Sequence, residues 1–299
     1  MEEEKKSKRV DIDSKVSTRG GFAGMMETGL RKFRSIVHCS VLLLLYVLAS
    51  ILIGLALVPS IYFVTYIYSA THTWFHLYHY AAFATSIAAG YFIYGFTLIL
   101  IVLPFANFIL RLKLKPWRGI YYSLEAVPWY VHNGFTYIAR YTFLFMITPT
   151  PFSMMFYKLM GMKIGRGTQL NTTNISDPSL ITLEEKVTIG GSATIIAHYG
   201  QAGYLVINPV RIGKGAVIGL KATIMGGVNI GVKAKILANS FVMPNTVIPD
   251  GEVWGGVPAV CIRKAKPQEE KIAEDKQAKP QEEEKIIEDK QQTENTEKE

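Results

Sequence analysis

From Ile212 to Ile248 an aliphatic residue stands at every sixth position: Ile212, Ile218, Ile224, Ile230, Ile236, Val242 and Ile248. An α-helix repeats its apolar residues about every 3.6 positions and a half-buried strand every second one, so neither fits. Period six is the signature of a solenoid whose coils stack like side chains on one another, and a sandwich of ordinary strands is excluded by the same spacing. Two residues before each aliphatic stand Val210, Ala216, Ala222, Val228, Ala234, Ser240 and Thr246, small enough for a sharp corner. Gly213, Gly219 and Gly231 follow three of the aliphatics, where glycine is expected to supply positive φ. The phase continues upstream through Leu183, Ile189 and Ile195, and more weakly at Ile164 and Leu170. With three hexapeptides to a triangular coil, residues 161–264 hold roughly five coils spaced by about 4.8 Å.

The N-terminal half has a different character. Residues 31–118 contain two long uncharged, mainly apolar runs, at about 35–69 and 80–110, each sufficient to cross a hydrocarbon core of about 30 Å. Together they predict a transmembrane helical hairpin rather than two buried helices of a soluble protein. The first run follows a long polar leader, residues 1–30, and lacks the pattern of a cleaved signal peptide. Arg31, Lys32 and Arg34 precede the first run, and Arg111, Lys113, Lys115 and Arg118 follow the second. The link from Ser69 to Tyr80 has neither Lys nor Arg. The positive-inside rule then puts both ends of the hairpin, and the repeats, in the cytoplasm of an integral protein of the inner or cytoplasmic membrane. Residues 119–160 are aromatic but interrupted by Pro128, Arg140, Pro149 and Pro151, which suits interfacial or re-entrant helices better than a third span.

The net charge of +8 is explained largely by these juxtamembrane cations, which would meet anionic lipid. No nucleic-acid motif accompanies it. Residues 265–299 form an imperfect duplication, Ala265-Lys266-Pro267-Gln268 repeated as Ala278-Lys279-Pro280-Gln281, too charged to bury a core and expected to be a disordered tail. Cys39 and Cys261 provide neither a disulfide framework nor a thiolate metal site. His72, His76 and His79 could share a helical face, yet an interfacial aromatic belt accounts for them without a metal. Gly213-Lys214-Gly215 lies inside the six-residue phase and opens no helix, so it is a corner and not a nucleotide loop.

Residues 180–263 resemble the left-handed parallel β-helix of hexapeptide-repeat acyltransferases, which likewise end in a segment such as Gly255-Gly256-Val257-Pro258-Ala259 followed by a basic residue, here Arg263. The stretch from Thr148-Pro149 to Gly165, then Thr172-Thr173-Asn174-Ile175-Ser176-Asp177, is similar to the membrane-embedded acyltransferase-like C-terminal region of poly-lysine-synthetase-type peptide synthetases, here without adenylation or carrier domains. The fold class expected is therefore transmembrane α-helices followed by a left-handed β-helix.

The repeat phase breaks between Ile195 and Ile212, and His198 lies at the mouth of the break. A loop leaving a rigid scaffold is a natural place for function. The resemblance implies that His198 is the general base of acyl transfer from acyl-CoA, most simply acetyl-CoA, to a hydroxyl or amine acceptor. An imidazole titrating near neutrality suits that task. The resemblance also places CoA along the β-helix, with Ala238 and Arg263 at matching positions. A second basic position of the motif is Val260, for which Lys221 or Lys264 could compensate. Gly226 or Gly227 would offer a turn N–H to the oxyanion. In the synthetase branch an acidic residue stands near Gln201, so the neutral amide here leaves open what orients His198. The resemblance further implies a homotrimer in contact with membrane lipid. A noncatalytic β-helix scaffold at the membrane is the alternative. A β-helix carbonic anhydrase would need three histidine ligands for zinc, and the repeats contain only His198.

Overall fold

The computed structural model describes residues 14–17 and 20–265; the rest of the leader and residues 266–299, which hold the duplicated tail, lie outside the described residues. Helix α1 (Gly21–Lys32) occupies the end of the expected flexible leader. Its order has a local cause: Glu27 and Arg31, one turn apart and buried, bond at 2.8 Å, and Arg31 also donates to the Val16 carbonyl at 3.2 Å.

Helix α2 (Arg34–Thr71) and helix α3 (His76–Thr97) pack along one another. A π-helical turn (Leu98–Val102) carries α3 into α4 (Leu103–Ile109). Two stretches, Cys39–Thr71 and His76–Ile109, are long and apolar enough to cross a membrane. Gly90 permits their close approach: a Cβ there would lie 2.9 Å from Ser60 Oγ, which donates to the Gly90 carbonyl at 2.7 Å. At the link, His72 lies outside α3 and bonds the Ser69 carbonyl, while His79 bonds Thr71 Oγ1 at 2.9 Å between the rings of Tyr68 and Tyr80. His72 and His79 thus have separate local partners.

Beyond the hairpin, helix α5 (Val127–Ala139) runs into a π-helical turn (Arg140–Leu144). Arg140 Nη2 donates to the Ile175 carbonyl at 2.8 Å, and so docks this helical run onto the first coil of the repeats.

The repeats form a stack of short parallel strands consistent with a left-handed β-helix. The first face comprises Lys163–Ile164, Ile181–Leu183, Val210–Ile212, Asn229–Ile230 and Val247–Ile248. The second comprises Gln169–Leu170, Thr188–Ile189, Val217–Ile218, Lys235–Ile236 and Val253–Gly256, closed by the antiparallel strand Ala259–Arg263. The third comprises Ile175–Ser176, Thr194–Ile196, Thr223–Ile224 and Phe241–Val242. The period-six residues pair in register, Leu183 with Ile212 and Ile230, Ile189 with Ile218 and Ile236, Ile195 with Ile224 and Val242. All are at most 2% exposed. Each such burial is worth about 1.5–3 kcal/mol, which is why the spacing is kept so strictly.

The glycine expectation needs correction. Positive φ falls two residues further on in each corner, at Gly215, Lys221, Gly227, Lys233, Asn239, Asn245 and Gly251. Gly213, Gly219 and Gly231 are glycine because the next coil passes against them: a Cβ on Gly213 would lie 2.7 Å from the Gly231 carbonyl carbon.

The phase also breaks twice rather than once. The known break is a hairpin, His198–Gln201 and Tyr204–Ile207, turning through Ala202 (φ 48°) and Gly203 (φ 80°). A two-residue turn with both φ values positive matches the right-handed twist of its strands. Trp117–Ile120 adds to this hairpin as a third, antiparallel strand, with Arg118 stacked 4.8 Å from the Tyr204 ring. The second break lies one coil earlier at the same corner, where eight residues separate Ile175 from Leu183 instead of six and a short 3-10 turn, Pro178–Leu180, intervenes.

Candidate active site

The two breaks stack, and that brings Asp177 to His198. Asp177 opens the short turn with φ 59°, a left-handed conformation that Asp tolerates better than most residues. Its carboxylate is fully buried. Oδ2 accepts from His198 Nδ1 at 2.5 Å and from the Ala197 N–H at 3.1 Å. Oδ1 accepts from Asn133 Nδ2 at 2.7 Å, while the Asp177 N–H donates to Asn133 Oδ1 at 3.3 Å. Asn133 projects from α5 and also donates to the Trp129 carbonyl at 3.1 Å. A buried carboxylate without such donors would be costly, so this network fixes Asp177 as well as charging the site.

This answers what orients His198. The carboxylate comes from the first coil and not from the hairpin, where Gln201 pairs with Tyr204 and is exposed. With Nδ1 held by Asp177, the other ring nitrogen, Nε2, is the one left for chemistry. The imidazole is 23% exposed, and its ring meets Trp129 edge-on at 4.9 Å. It lines a groove of about 420 Å³ between α2 and α5.

His132, adjacent to Asn133, is also buried, its Nδ1 bonded to Asn107 Oδ1 at 2.9 Å. Burial drives this imidazole down to about 4, against the opposing pull of the Asp177 carboxylate. Below about pH 6.5 the unfolded chain takes up a proton that the folded chain refuses until about pH 4, so His132 makes stability fall as pH drops through that window. The loss should reach about 3 kcal/mol. Denaturation of the detergent-solubilised protein at pH 7 and near pH 4 checks it: the acid loss should shrink by that amount in His132→Gln, and an unchanged loss would assign it elsewhere.

The remaining sequence candidates separate into two groups. Gly226 and Gly227 share the His198 corner, and a Cβ on Gly226 would lie 3.1 Å from the His198 backbone nitrogen. The Gly227 N–H already donates to the Asn208 carbonyl at 3.3 Å. Lys221 and Ala238 are exposed at the next corner, between the second and third faces. Arg263 lies opposite Val253 at the far end of the closing strand pair, and Val260 is exposed. Within one chain, therefore, Lys221, Ala238 and Arg263 are not gathered at His198. Asp177 and Asn133 are the site residues that sequence reasoning did not assign. Among the described residues no three His, Cys, Asp or Glu side chains gather to hold a metal ion, so the donor set does not fit a zinc site of three histidines.

A family model described as the hexapeptide repeat of succinyl-transferase matches residues 209–244. The chain is 24% identical over 196 residues to the delta-poly-L-ornithine synthetase of Acinetobacter baumannii (strain AB307-0294), covering 63% of this chain and 14% of that protein. It is 38% identical over 100 residues to gamma carbonic anhydrase 2, mitochondrial, of Arabidopsis thaliana, covering 32% of this chain and 36% of that one. The chain thus spans well under two thirds of either protein. To the putative acetyltransferase YvoF of Bacillus subtilis (strain 168) it is 30% identical over 142 residues, covering 45% of this chain and 77% of that protein. With that share of a relative matched and the repeat present both as sequence and as stacked coils, the chain belongs to the hexapeptide-repeat acyltransferase family.

Proposed function

We propose that the protein is a CoA-dependent acyltransferase of a membrane surface, moving an acetyl group from acetyl-CoA to a hydroxyl or amine acceptor, with His198 as general base. The carrying observation is the 2.5 Å bond between His198 Nδ1 and the fully buried Asp177 carboxylate. Nε2 accepts the proton of the acceptor as its oxygen or nitrogen attacks the thioester carbonyl, and Asp177 stabilises the imidazolium that forms. The tetrahedral oxyanion would take its hydrogen bond from the Gly226 side of the corner, since Gly227 is committed to Asn208. Collapse breaks the carbon–sulfur bond, and the proton on His198 passes to the departing CoA thiolate. No covalent enzyme intermediate is needed.

Lys221, Ala238 and Arg263 are proposed to serve CoA on a neighbouring copy's β-helix, which accounts for their distance from His198 within one chain. The apolar helices Cys39–Thr71 and His76–Ile109 are read as membrane spans with the β-helix on the cytoplasmic side. Purified protein given acetyl-CoA, with CoA release as the readout, tests the base: His198→Ala should lower turnover about 10²–10⁴-fold. Equal turnover in the variant would remove His198 from the mechanism, and failure to bind any CoA species would favour a scaffold.

A further inference from the structure

We propose that the groove between α2 and α5 binds the hydrocarbon tail of the acyl acceptor, so that the acceptor is a single-chain amphiphile whose hydroxyl or amine is delivered from the membrane to His198. This rests on the reading of His198 as the base. The walls are Leu42, Leu45 and Ala49 from α2 and Tyr130, Gly134 and Ile138 from α5, and His198 shares the lining. No Asp, Glu, Lys or Arg is in the lining. Such a surface is mainly apolar and suits methylenes better than a charged or heavily hydroxylated ligand.

The position of the groove along α2 identifies where the chain enters. Cys39–Thr71 has 33 residues, about 50 Å of helix against a hydrocarbon core of about 30 Å. Leu42 to Ala49 lie in the first third of that span, on the side of the flanking cations Arg31, Lys32 and Arg34, and so toward the headgroups of one leaflet. An amphiphile lying in that leaflet can slide its tail between α2 and α5 without crossing water, and its polar end then meets the His198–Asp177 pair. The tail of a long acyl-CoA is the competing source of methylenes. The acceptor is favoured because one wall of the groove is the apolar helix α2, whereas the exposed basic candidate for CoA, Lys221, lies at a different corner of the β-helix.

Gly134 makes the test clean. A Cβ there meets nothing within 4 Å, so Gly134→Phe can fill the groove without displacing backbone. Leu43→Phe, at an exposed position on α2 that does not line the groove, is the control. The binding arm uses a photoreactive hexadecylamine on protein in nanodiscs, with adducts located by mass spectrometry. Saturable labelling within 42–49 and 129–138 is expected, lost in Gly134→Phe and kept in Leu43→Phe. Labelling that does not saturate, or that survives Gly134→Phe, overturns the assignment. The kinetic arm varies chain length in primary alkylamines with acetyl-CoA, then in acyl-CoA with a short amine. KM for the amine should fall up to about fourfold per methylene until the groove is full, and Gly134→Phe should flatten that series. Dependence on the acyl-CoA chain instead would give the groove to the donor and overturn the proposal. Labelling that behaves as expected beside turnover indifferent to His198→Ala would sink the catalytic reading while leaving the groove intact.

Discussion

Replacing Asp177 by asparagine is expected to lower kcat by about 10²–10⁴-fold while the β-helix stays folded. The substitution is nearly isosteric, but the surroundings leave an amide no good orientation. One oxygen of the carboxylate serves His198 and the Ala197 N–H, and the other serves Asn133 Nδ2. If the new amide NH₂ faces Asn133, two donors meet. A flip of Asn133 would relieve this only by giving up the bond from the Asp177 N–H to Asn133 Oδ1. If the NH₂ faces Ala197 and His198, it opposes the Ala197 N–H and forces the imidazole into the tautomer that carries its proton on Nε2, where a base cannot have one. Either arrangement also removes the negative charge that stabilises the imidazolium; in a serine protease triad the corresponding change costs about 10⁴. Steady-state kinetics with circular dichroism as a fold control decide the matter. Turnover within about threefold of the native protein would make Asp177 a purely structural acid, since a loss of base function cannot be that small.

The difference between what could and could not be read from the sequence follows from the range of each interaction. The stacked positions Ile212 to Ile248 were legible because each coil repeats the last, so a local period reports a long-range contact. His198 was legible as an interruption of that period. Asp177 was partly so: a step of eight positions from Ile175 to Leu183 is a countable break, but the first coil keeps the phase weakly, with a step of five from Leu170 to Ile175, and the second interruption is obscured. The resemblance pointed to the hairpin position of Gln201 for an orienting acid and, finding an amide there, left the partner of His198 open, whereas that partner lies one coil away through space. Asn133 has no sequence signal at all. It is 44 residues from Asp177 and reaches it only because Arg140 and its helical run dock on the first coil. The groove is invisible for the same reason, since α2 and α5 are remote in the chain and meet only in the tertiary fold.

The corner glycines separate conformation from space, and two substitutions to the same residue should show it. Gly213→Asn is expected to cost about 3 kcal/mol, at the upper end of what overpacking imposes. Its Cβ would stand 2.7 Å from the Gly231 carbonyl carbon and 2.8 Å from the Val232 nitrogen. Both are backbone atoms of the next coil, held there by the Gly213 N–H bonded to the Ile230 carbonyl at 2.8 Å. No side chain can swing aside, so the coils must part, and the ladder spacing of about 4.8 Å leaves little room to do so. Gly215→Asn, two residues on, should change stability by less than about 1 kcal/mol even though φ there is 67°. Its Cβ would meet only the flexible Lys233 Cγ at 3.5 Å, and asparagine already occupies the equivalent left-handed positions at 239 and 245. Thermal unfolding of the two variants beside the native protein measures the contrast. Little loss in Gly213→Asn beside a larger one in Gly215→Asn would mean that left-handed φ, and not the approach of the neighbouring coil, is what selects glycine in these corners.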